Sequence, residues 1–518
     1  MKREYILNGI GIALLAVCFM AAVARVLTRT VHDRDPARVT IRFSHWQLEG
    51  GIRDAFDAVA AVYMKRHPNV TIEQIPVPGR VYGAWIKTRL AGEQPPDLME
   101  LSRAVSDEDL ARYFVPLTAE LEQPNPYNAG SVLAGKLWRE TFLDGLVGAA
   151  GTDTLQEYYG IPCAGVTVRM YYNRALYREI MGHERTPSNY AEFLDVCART
   201  RDYASRTGQV VLPVAGSRFN ANVLLDQLFR SQTQKLALSI DRLHLLKPPS
   251  DPCLAFLDDR VTLDSPAIRS GLRLMHEVGR DFQAGFLQLD RDDAIFYFSQ
   301  GHALMIATGN WDYGSILKQS AFPIGIFGVP LPTAEESEFV LGPVSEAGQG
   351  VGVNFHLTTR SAHPEVAVDF LKFLTSVEGN QIFCNVSKWL PAVGGVTPVE
   401  ESKPFVPIEE GYPDGFRIAP IMWGSGEMYR VMGTHLHKLV NRDGGVDAFV
   451  EAMRPELPAA VKSDARQLLK TYRDNTVRLD TTIAARRQLG QADKVSGLME
   501  SQNQQESAYY WLQSRIKE

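Results

Sequence analysis

Residues 37–44 read Ala-Arg-Val-Thr-Ile-Arg-Phe-Ser. Apolar and polar residues alternate, the period of a half-buried strand. The chain passes through Trp46 in a loop. Ile52, Phe56, Val59, Ala60 and Tyr63 then recur at helical spacing. His67-Pro68-Asn69 stops that helix, because proline brings no amide hydrogen to the next turn. Val70-Thr71-Ile72-Glu73-Gln74-Ile75 reads as a second strand, Tyr82 to Ala91 as a helix, and Asp97-Leu98-Met99-Glu100-Leu101, after the break at Gln94-Pro95-Pro96, as a third strand. The order β-α-β-α-β implies a parallel sheet with helices on its faces. Ligands of such sheets sit beyond the carboxyl ends of the strands, so the loops at Trp46 and at Ser102-Arg103 are the ones that matter.

Two extended runs further along, Ile161 to Tyr172 and Gly348 to Thr359, are each followed by a helical pattern, at Tyr190 to Cys197 and Val366 to Leu374. Each reads as a passage between two lobes. The length of 518 residues predicts about three domains or two interleaved lobes. Apolar residues make up 45% and charged residues 22%, which excludes disorder and collagen-like repeats. A net charge of −6 and a pI of about 6.1, without a dense basic run, argue against nucleic acid as a partner. Cys18 falls in the first apolar stretch; Cys163, Cys197, Cys253 and Cys384 form no Cys-x-x-Cys pair and read as scattered buried thiols, one disulfide being unassignable from sequence.

The N-terminus reads as an export segment. Lys2 and Arg3 precede an uncharged stretch from Tyr5 to Ala24, long enough to span a bilayer. Three fates stay open: cleavage after Ala22-Val23-Ala24, retention as an inner-membrane anchor, or lipidation at Cys18 in Leu15-Ala16-Val17-Cys18, where Val17 occupies a position that expects a small residue. All three put Val31 onward outside the cytoplasm, in the periplasm or an equivalent space.

Later motifs carry a resemblance. Pro96-Asp97-Leu98, Tyr172-Asn173-Arg174-Ala175-Leu176-Tyr177 and Pro187-Ser188-Asn189-Tyr190-Ala191-Glu192-Phe193 fall in order along the chain. Phe298-Ser299-Gln300-Gly301-His302-Ala303-Leu304-Met305 then runs to Gly309-Asn310-Trp311, and Gly350 to Asn354, Pro364 to Phe373, Glu378-Gly379 and Pro420 to Arg454 follow. In this order they resemble the extracellular solute-binding proteins of the maltose-binding type, from Val39 to Arg454; Asn189 and Tyr190 stand where that family has Thr and Trp. The resemblance implies an α/β, two-lobed, periplasmic-binding-protein-like fold, each lobe a mainly parallel sheet flanked by helices, with a hinge between. It implies residues 1–30 as signal or anchor, 39–160 with 345–390 as the N-terminal lobe, 161–344 with 391–455 as the C-terminal lobe, and 456–518 as a helical extension. It further implies a monomer without cofactor that captures a mono- or oligosaccharide and delivers it to an ABC importer permease.

A sugar offers hydroxyls at its rim and C–H faces, so its site needs flat aromatic surfaces and planar hydrogen-bonding side chains. The aromatic candidates are Trp46, Trp311, Trp423 and Trp389, with core packing as the alternative for each. The polar candidates are Gln47, Glu49, Ser102, Arg103, Asn310 and Glu427, with a solvated loop as the alternative; Asp97 is expected to orient its loop. Catalytic and metal motifs are missing. There is no His-Glu-x-x-His, nucleophile elbow or phosphate loop; His435-Leu436-His437 points its histidines apart on a helix. Ser315-Ile316-Leu317-Lys318 lacks the partners of a Ser-x-x-Lys enzyme, and Asp292-Asp293 and Asp258-Asp259 read as solvated turns. Two other functions remain: a sensory ligand-binding module for a membrane receptor, and an exported carbohydrate-active enzyme. In the tail, Leu468, Leu469, Tyr472, Leu479, Ile483 and Leu489 predict an amphipathic helix that packs on the C-terminal lobe or docks a partner.

Overall fold

The opening alternation folds as read. Val39–His45 is β1, Ile52–Arg66 is α1, Val70–Pro76 is β2, Gly79–Ala91 is α2 and Leu98–Glu100 is β3. β1 pairs in parallel with both β2 and β3. α1 buries Ile52, Ala55, Phe56, Val59, Ala60 and Tyr63, a stripe at helical spacing. Phe56 meets Phe43 of β1 edge-on at 5.2 Å, and the Phe355 ring closes on both, at 5.4 and 5.7 Å. The computed structural model describes residues 19–20, 38–101, 105–146, 151–152, 155–240, 256–257, 261–347, 350–422 and 424–516. Ser102, Arg103, Trp423, Cys18, Cys253 and Asp258-Asp259 lie outside them, as does the N-terminal apolar stretch apart from Phe19 and Met20. No helix of the described residues is long and apolar enough to cross a membrane.

The chain continues through α3 (Asp107–Tyr113), β4 (Gly151–Thr152), β5 (Glu157–Tyr158), β6 (Gly160–Gly165), β7 (Val168–Asn173), α4 (Tyr190–Thr207), β8 (Leu212–Ala215) and α5 (Arg218–Ser231). Next come α6 (Pro266–Gly279), α7 (Arg291–Ser299), β9 (Ala303–Gly309), α8 (Tyr313–Gln319), β10 (Ile324–Phe327) and β11 (Val351–Leu357). The remainder is α9 (Pro364–Leu374), α10 (Val377–Ser387), β12 (Leu390–Pro391), α11 (Gly426–Val440), α12 (Val446–Met453), α13 (Leu457–Gln488) and α14 (Ala492–Ile516). Local chemistry sets several helix starts: Asn189 caps α4 by accepting the Glu192 amide at 2.9 Å.

Two sheets define two lobes. The first has the order β12-β6-β11-β3-β1-β2 and the second β10-β7-β9-β8. The expectation of mainly parallel sheets needs correction in detail. Among the strands of the described residues, parallel pairing is confined to β1 with β2 and β3, and to β8 with β9. The other pairs are antiparallel. The hinge is the cause: β6 runs out of its sheet toward the other lobe while β11 runs back in, so neighbours at the crossings point in opposite directions.

The run Ile161–Tyr172 is two strands of different sheets. Residues 160–165 belong to the first sheet, residues 168–173 to the second, and Val166–Thr167 alone spans the gap. The returning chain touches this link backbone to backbone, the Val166 amide donating to the Gly350 carbonyl at 2.6 Å. Gly350 has φ +83°, and a Cβ there would stand 2.0 Å from the Val166 oxygen, so only glycine fits. Arg169 gathers the passages together. Its side chain, 5% exposed, holds Glu346 with two bonds of 2.7 and 2.9 Å. It also donates to the carbonyls of Pro404 at 2.9 Å and Val406 at 2.8 Å, on the third passage.

Within the tail, Leu468, Leu469, Tyr472, Leu479 and Ile483 face inward on α13. Leu489 does not: it lies just past the helix end and is 69% exposed. Cys163, Cys197 and Cys384 are free, buried thiols.

Removing the hinge guanidinium leaves a half-buried carboxylate and several carbonyls without their donor. Arg169→Met is expected to lower unfolding stability by about 3 kcal/mol, measured by urea denaturation; a loss under about 1 kcal/mol would show that the hinge does not depend on it.

Candidate ligand cleft

The carboxyl end of β1 carries Trp46, Gln47 and Glu49 toward the second lobe. Trp46 is half-buried and meets Tyr82 edge-on at 5.9 Å. Tyr82 in turn stacks on Trp85 at 5.8 Å and 14°, and the Arg89 guanidinium lies 5.3 Å from the Trp85 ring. Tyr82 and Trp85 are three residues apart on α2 and so share a face. Their hydroxyl and ring positions are fixed from below, since the Tyr82 hydroxyl donates to the Ser44 carbonyl at 3.1 Å.

Glu100, at the end of β3, is fully buried. It accepts the Trp46 amide at 3.2 Å and the Gln47 side-chain amide at 2.5 Å. Burial pushes its carboxyl up to about 8, against the pull of those two donors. The Gln47 nitrogen also donates to the Gly352 carbonyl at 3.2 Å, and Gln47 is 4% exposed. Gln47 therefore braces the Trp46 loop.

Glu49 reaches across to the second lobe. One carboxylate oxygen accepts from Arg291 at 2.6 Å; the other, Oε2, is buried with no hydrogen-bond partner among the described residues. Arg291 opens α7, stands 3.7 Å from buried Asp312, and lies 5.6 Å from the Phe219 ring centroid. Burial raises the Asp312 carboxyl to about 6, while Arg291 and the Thr308 hydroxyl, donating at 2.5 Å, oppose that rise. Trp311 meets Phe219 edge-on at 6.1 Å and packs against the apolar cluster of the first lobe. Its ring folds back over Gly309, where a Cβ would stand 2.2 Å from it, and its Nε1 is buried with no partner among the described residues. The lobes meet beside this group. The Gly50 amide donates to the Ser315 hydroxyl at 3.3 Å, and a Cβ on Gly314 would approach the Gly50 carbonyl oxygen to 2.7 Å. Ser315 of the Ser-x-x-Lys sequence is thus engaged by the opposite lobe.

Other expected residues sit elsewhere. Asn310 is 1% exposed; its side chain accepts the Thr167 amide and donates to the Gly165 carbonyl, both at 3.1 Å, which fastens β9 to the first crossing. Trp389 is 2% exposed within the core of the first lobe, against Gly352, where a Cβ would meet its ring at 2.6 Å. Glu427 pairs with Arg430 at 2.8 Å in the first turn of α11, whose amides at 427 and 428 donate to Asp464 of the tail. Asp97 orients its loop, accepting the Arg42 amide at 2.8 Å and the Ser361 hydroxyl at 2.6 Å. Asp293 accepts the Asp290 amide at 2.9 Å in a helix cap, a role the adjacent Asp292-Asp293 pair did not suggest. Among the described residues no group of His, Cys, Asp or Glu is placed to hold a metal ion.

Tyr82, Trp85, Glu100, Phe219, Arg291 and Asp312 were not singled out by sequence. Trp85 carried a signal, an aromatic residue three positions from Tyr82 in a stretch that reads as a helix. Arg291 and Phe219 carried none, because only the closing of the second lobe brings them beside Trp311.

Several known proteins share this plan. A periplasmic-binding protein of an ABC transporter in Escherichia coli K12, YcjN, is 21% identical over 74% of this chain and 79% of its own. An uncharacterized ABC-transporter extracellular-binding protein of Pyrococcus horikoshii, PH1214, is 20% identical over 80% of this chain and 85% of its own. Among solved structures, the apo form of RafE from Streptococcus pneumoniae superposes with a TM-score of 0.54 at 18% identity, covering 82% of this chain and 98% of its own. MalE3 of T. maritima does so with a TM-score of 0.52 at 16% identity, covering 81% and 99%. These likenesses establish a common fold. The family model for bacterial extracellular solute-binding proteins matches residues 58–405, well over half of the sequence, and the chain belongs to that family.

Proposed function

We propose that this protein captures a carbohydrate between its lobes and hands it, chemically unchanged, to an ABC importer outside the cytoplasm. One observation carries the reading: at the junction of the lobes, among the described residues, a buried donor on Trp311 and a buried acceptor on Glu49 are left unpaired, and each lobe carries aromatic side chains in the same segments. Trp46 with Tyr82 and Trp85 belongs to the first lobe, Trp311 with Phe219 to the second. The Trp311 Nε1–H and the Glu49 Oε2 lack partners among the described residues. A sugar hydroxyl both accepts and donates, so it answers both groups, while the rings take the C–H faces. A buried polar atom left unpaired costs about 1–3 kcal/mol, and ligand binding removes that cost only when the lobes close around it. Relatives of like fold support the class: RafE is solved with raffinose, MalE3 of T. maritima with maltose, and another is a chitin oligosaccharide binding protein. The names of YcjN and PH1214 support the importer as partner.

Titration with raffinose, maltose and chitin oligosaccharides, followed by thermal shift and by chromatography of the sugar, tests this. Saturable stabilisation without products is expected; hydrolysed sugar would replace the reading with an enzymatic one. Trp46→Ala and Trp311→Ala are each expected to weaken binding of the best sugar about tenfold or more, a loss of roughly 1–3 kcal/mol, with circular dichroism unchanged. Wild-type affinity in both variants would move the site elsewhere. Gly314→Val, which puts a side chain against the Gly50 carbonyl, is expected to cut affinity severalfold by holding the lobes apart, at little cost in stability, as read by calorimetry beside a melting curve.

A further inference from the structure

The lobes are joined by the covalent passages at the hinge and also by the tail, which makes a connection of a different kind. α13 begins inside the second lobe. Leu457, Ala460, Val461, Ala465 and Tyr472 belong to its apolar core, as do Ala508 and Leu512 of the returning α14. The hairpin is therefore rooted there by burial. From Leu457 to Arg486 a helix spans about 44 Å, far enough to leave that lobe. At the far end Leu479, Ile483, Val495 and Leu498 form a small cluster of their own. None of residues 457–516 enters the apolar clusters of the first lobe among the described residues.

What the tip makes with the first lobe is ionic. Glu157 is 9% exposed and sits in β5, three residues ahead of β6 of the first sheet. Arg486 reaches it at 2.9 Å and Lys494 at 2.6 Å, both on the same oxygen. Arg478 adds a 3.1 Å pair with Glu108 of α3. Gly497 lets the α14 backbone approach Gln156, whose amide oxygen would stand 2.7 Å from a Cβ there. One end of the arm is thus fixed by apolar packing that rigid-body motion does not break. The other is held by ion pairs, partly buried on Glu157 and exposed on Glu108, that a charge substitution removes without touching the apolar root.

We propose that the C-terminal hairpin, residues 457–516, is an interlobe latch: it travels with the second lobe, and its ionic tip on Glu157 and Glu108 holds the lobes at the close approach seen at Gly50 and Gly314. A hinge rotation that parts the lobes moves the tip across the first lobe and breaks these pairs. The inference rests on the two-lobed fold and not on the nature of the ligand.

Single-molecule energy transfer on the full-length chain tests it without ligand. Dyes go on Val132→Cys and Val210→Cys, which are 77% and 71% exposed on the first and second lobes. Cys18 and Cys253 are replaced by serine, and the three buried thiols stay. Wild type at low salt is expected to show one dominant interlobe distance. Glu157→Gln, and separately Arg486→Ala with Lys494→Ala, should raise a second population about fivefold, the scale of a weak ion pair. High salt should raise it in wild type too, but less, because partly buried pairs are screened only in part. Reversal of all three charges, Glu157→Lys with Arg486→Glu and Lys494→Glu, should restore the single distance. Circular dichroism checks that each variant is folded, and the two helix substitutions stand in if the Glu157 variant is not. Distance distributions identical to wild type at every salt concentration would overturn the latch and leave the hairpin a buttress of the second lobe. Failure of the reversed charges to restore the distance would overturn it as well.

Discussion

The architecture turns on the Arg169 guanidinium. A two-lobed chain that crosses its hinge more than once must keep its passages in register, and backbone pairing there is short. Arg169 solves this with one planar fork, binding Glu346 on the returning passage and the carbonyls of Pro404 and Val406 on the last one. Its five donors suit such a cluster, because they are fixed in direction and always charged. A lysine would offer one point charge and could not serve separate chains at once. Asn310 and Gly350 complete the arrangement, the first by bonding both sides of the Val166–Thr167 link, the second by leaving room for the Val166 carbonyl.

The cleft is built outward from that hinge, and its charges are arranged in tiers. Glu100 lies deepest and keeps the Trp46 loop in place from below. Glu49, Arg291 and Asp312 lie where the lobes meet, Arg291 of the second lobe pairing with Glu49 of the first and standing beside Asp312. Desolvation drives the carboxyls of Glu100 and Asp312 upward, and Arg291 limits the rise at Asp312. Among the described residues, the buried Oε2 of Glu49 and Nε1 of Trp311 lack partners at this junction, whereas both Glu100 oxygens beneath are hydrogen-bonded.

Closing and opening are governed by contacts of contrasting kinds. Glycine against glycine at residues 50 and 314 sets how near the lobes come, since any side chain would intervene. Apolar packing commits each helix to one lobe, including the root of the tail hairpin. The contacts that span the lobes include ion pairs, the Gly50–Ser315 hydrogen bond and the Trp311 ring.

The sequence by itself determined the β-α-β-α-β opening, the location of the first crossing and the family, because periodicity, proline breaks and glycine positions are local signals. Trp46 and Trp311 were legible as aromatic residues at strand ends. Tertiary structure decided the rest. Whether a planar side chain meets ligand, core or hinge depends on what lies across from it, and that neighbour is often hundreds of residues away. So Trp389 and Asn310, alike in sequence to exposed loop residues, were drawn into the core and the hinge. Arg291, Phe219 and Asp312 became a cleft group only when β9 and α7 were set against the end of β1. The tail's apolar face was readable from its spacing, but its reach across both lobes was not, because helical periodicity fixes which side of a helix is buried and says nothing of which body lies at its far end.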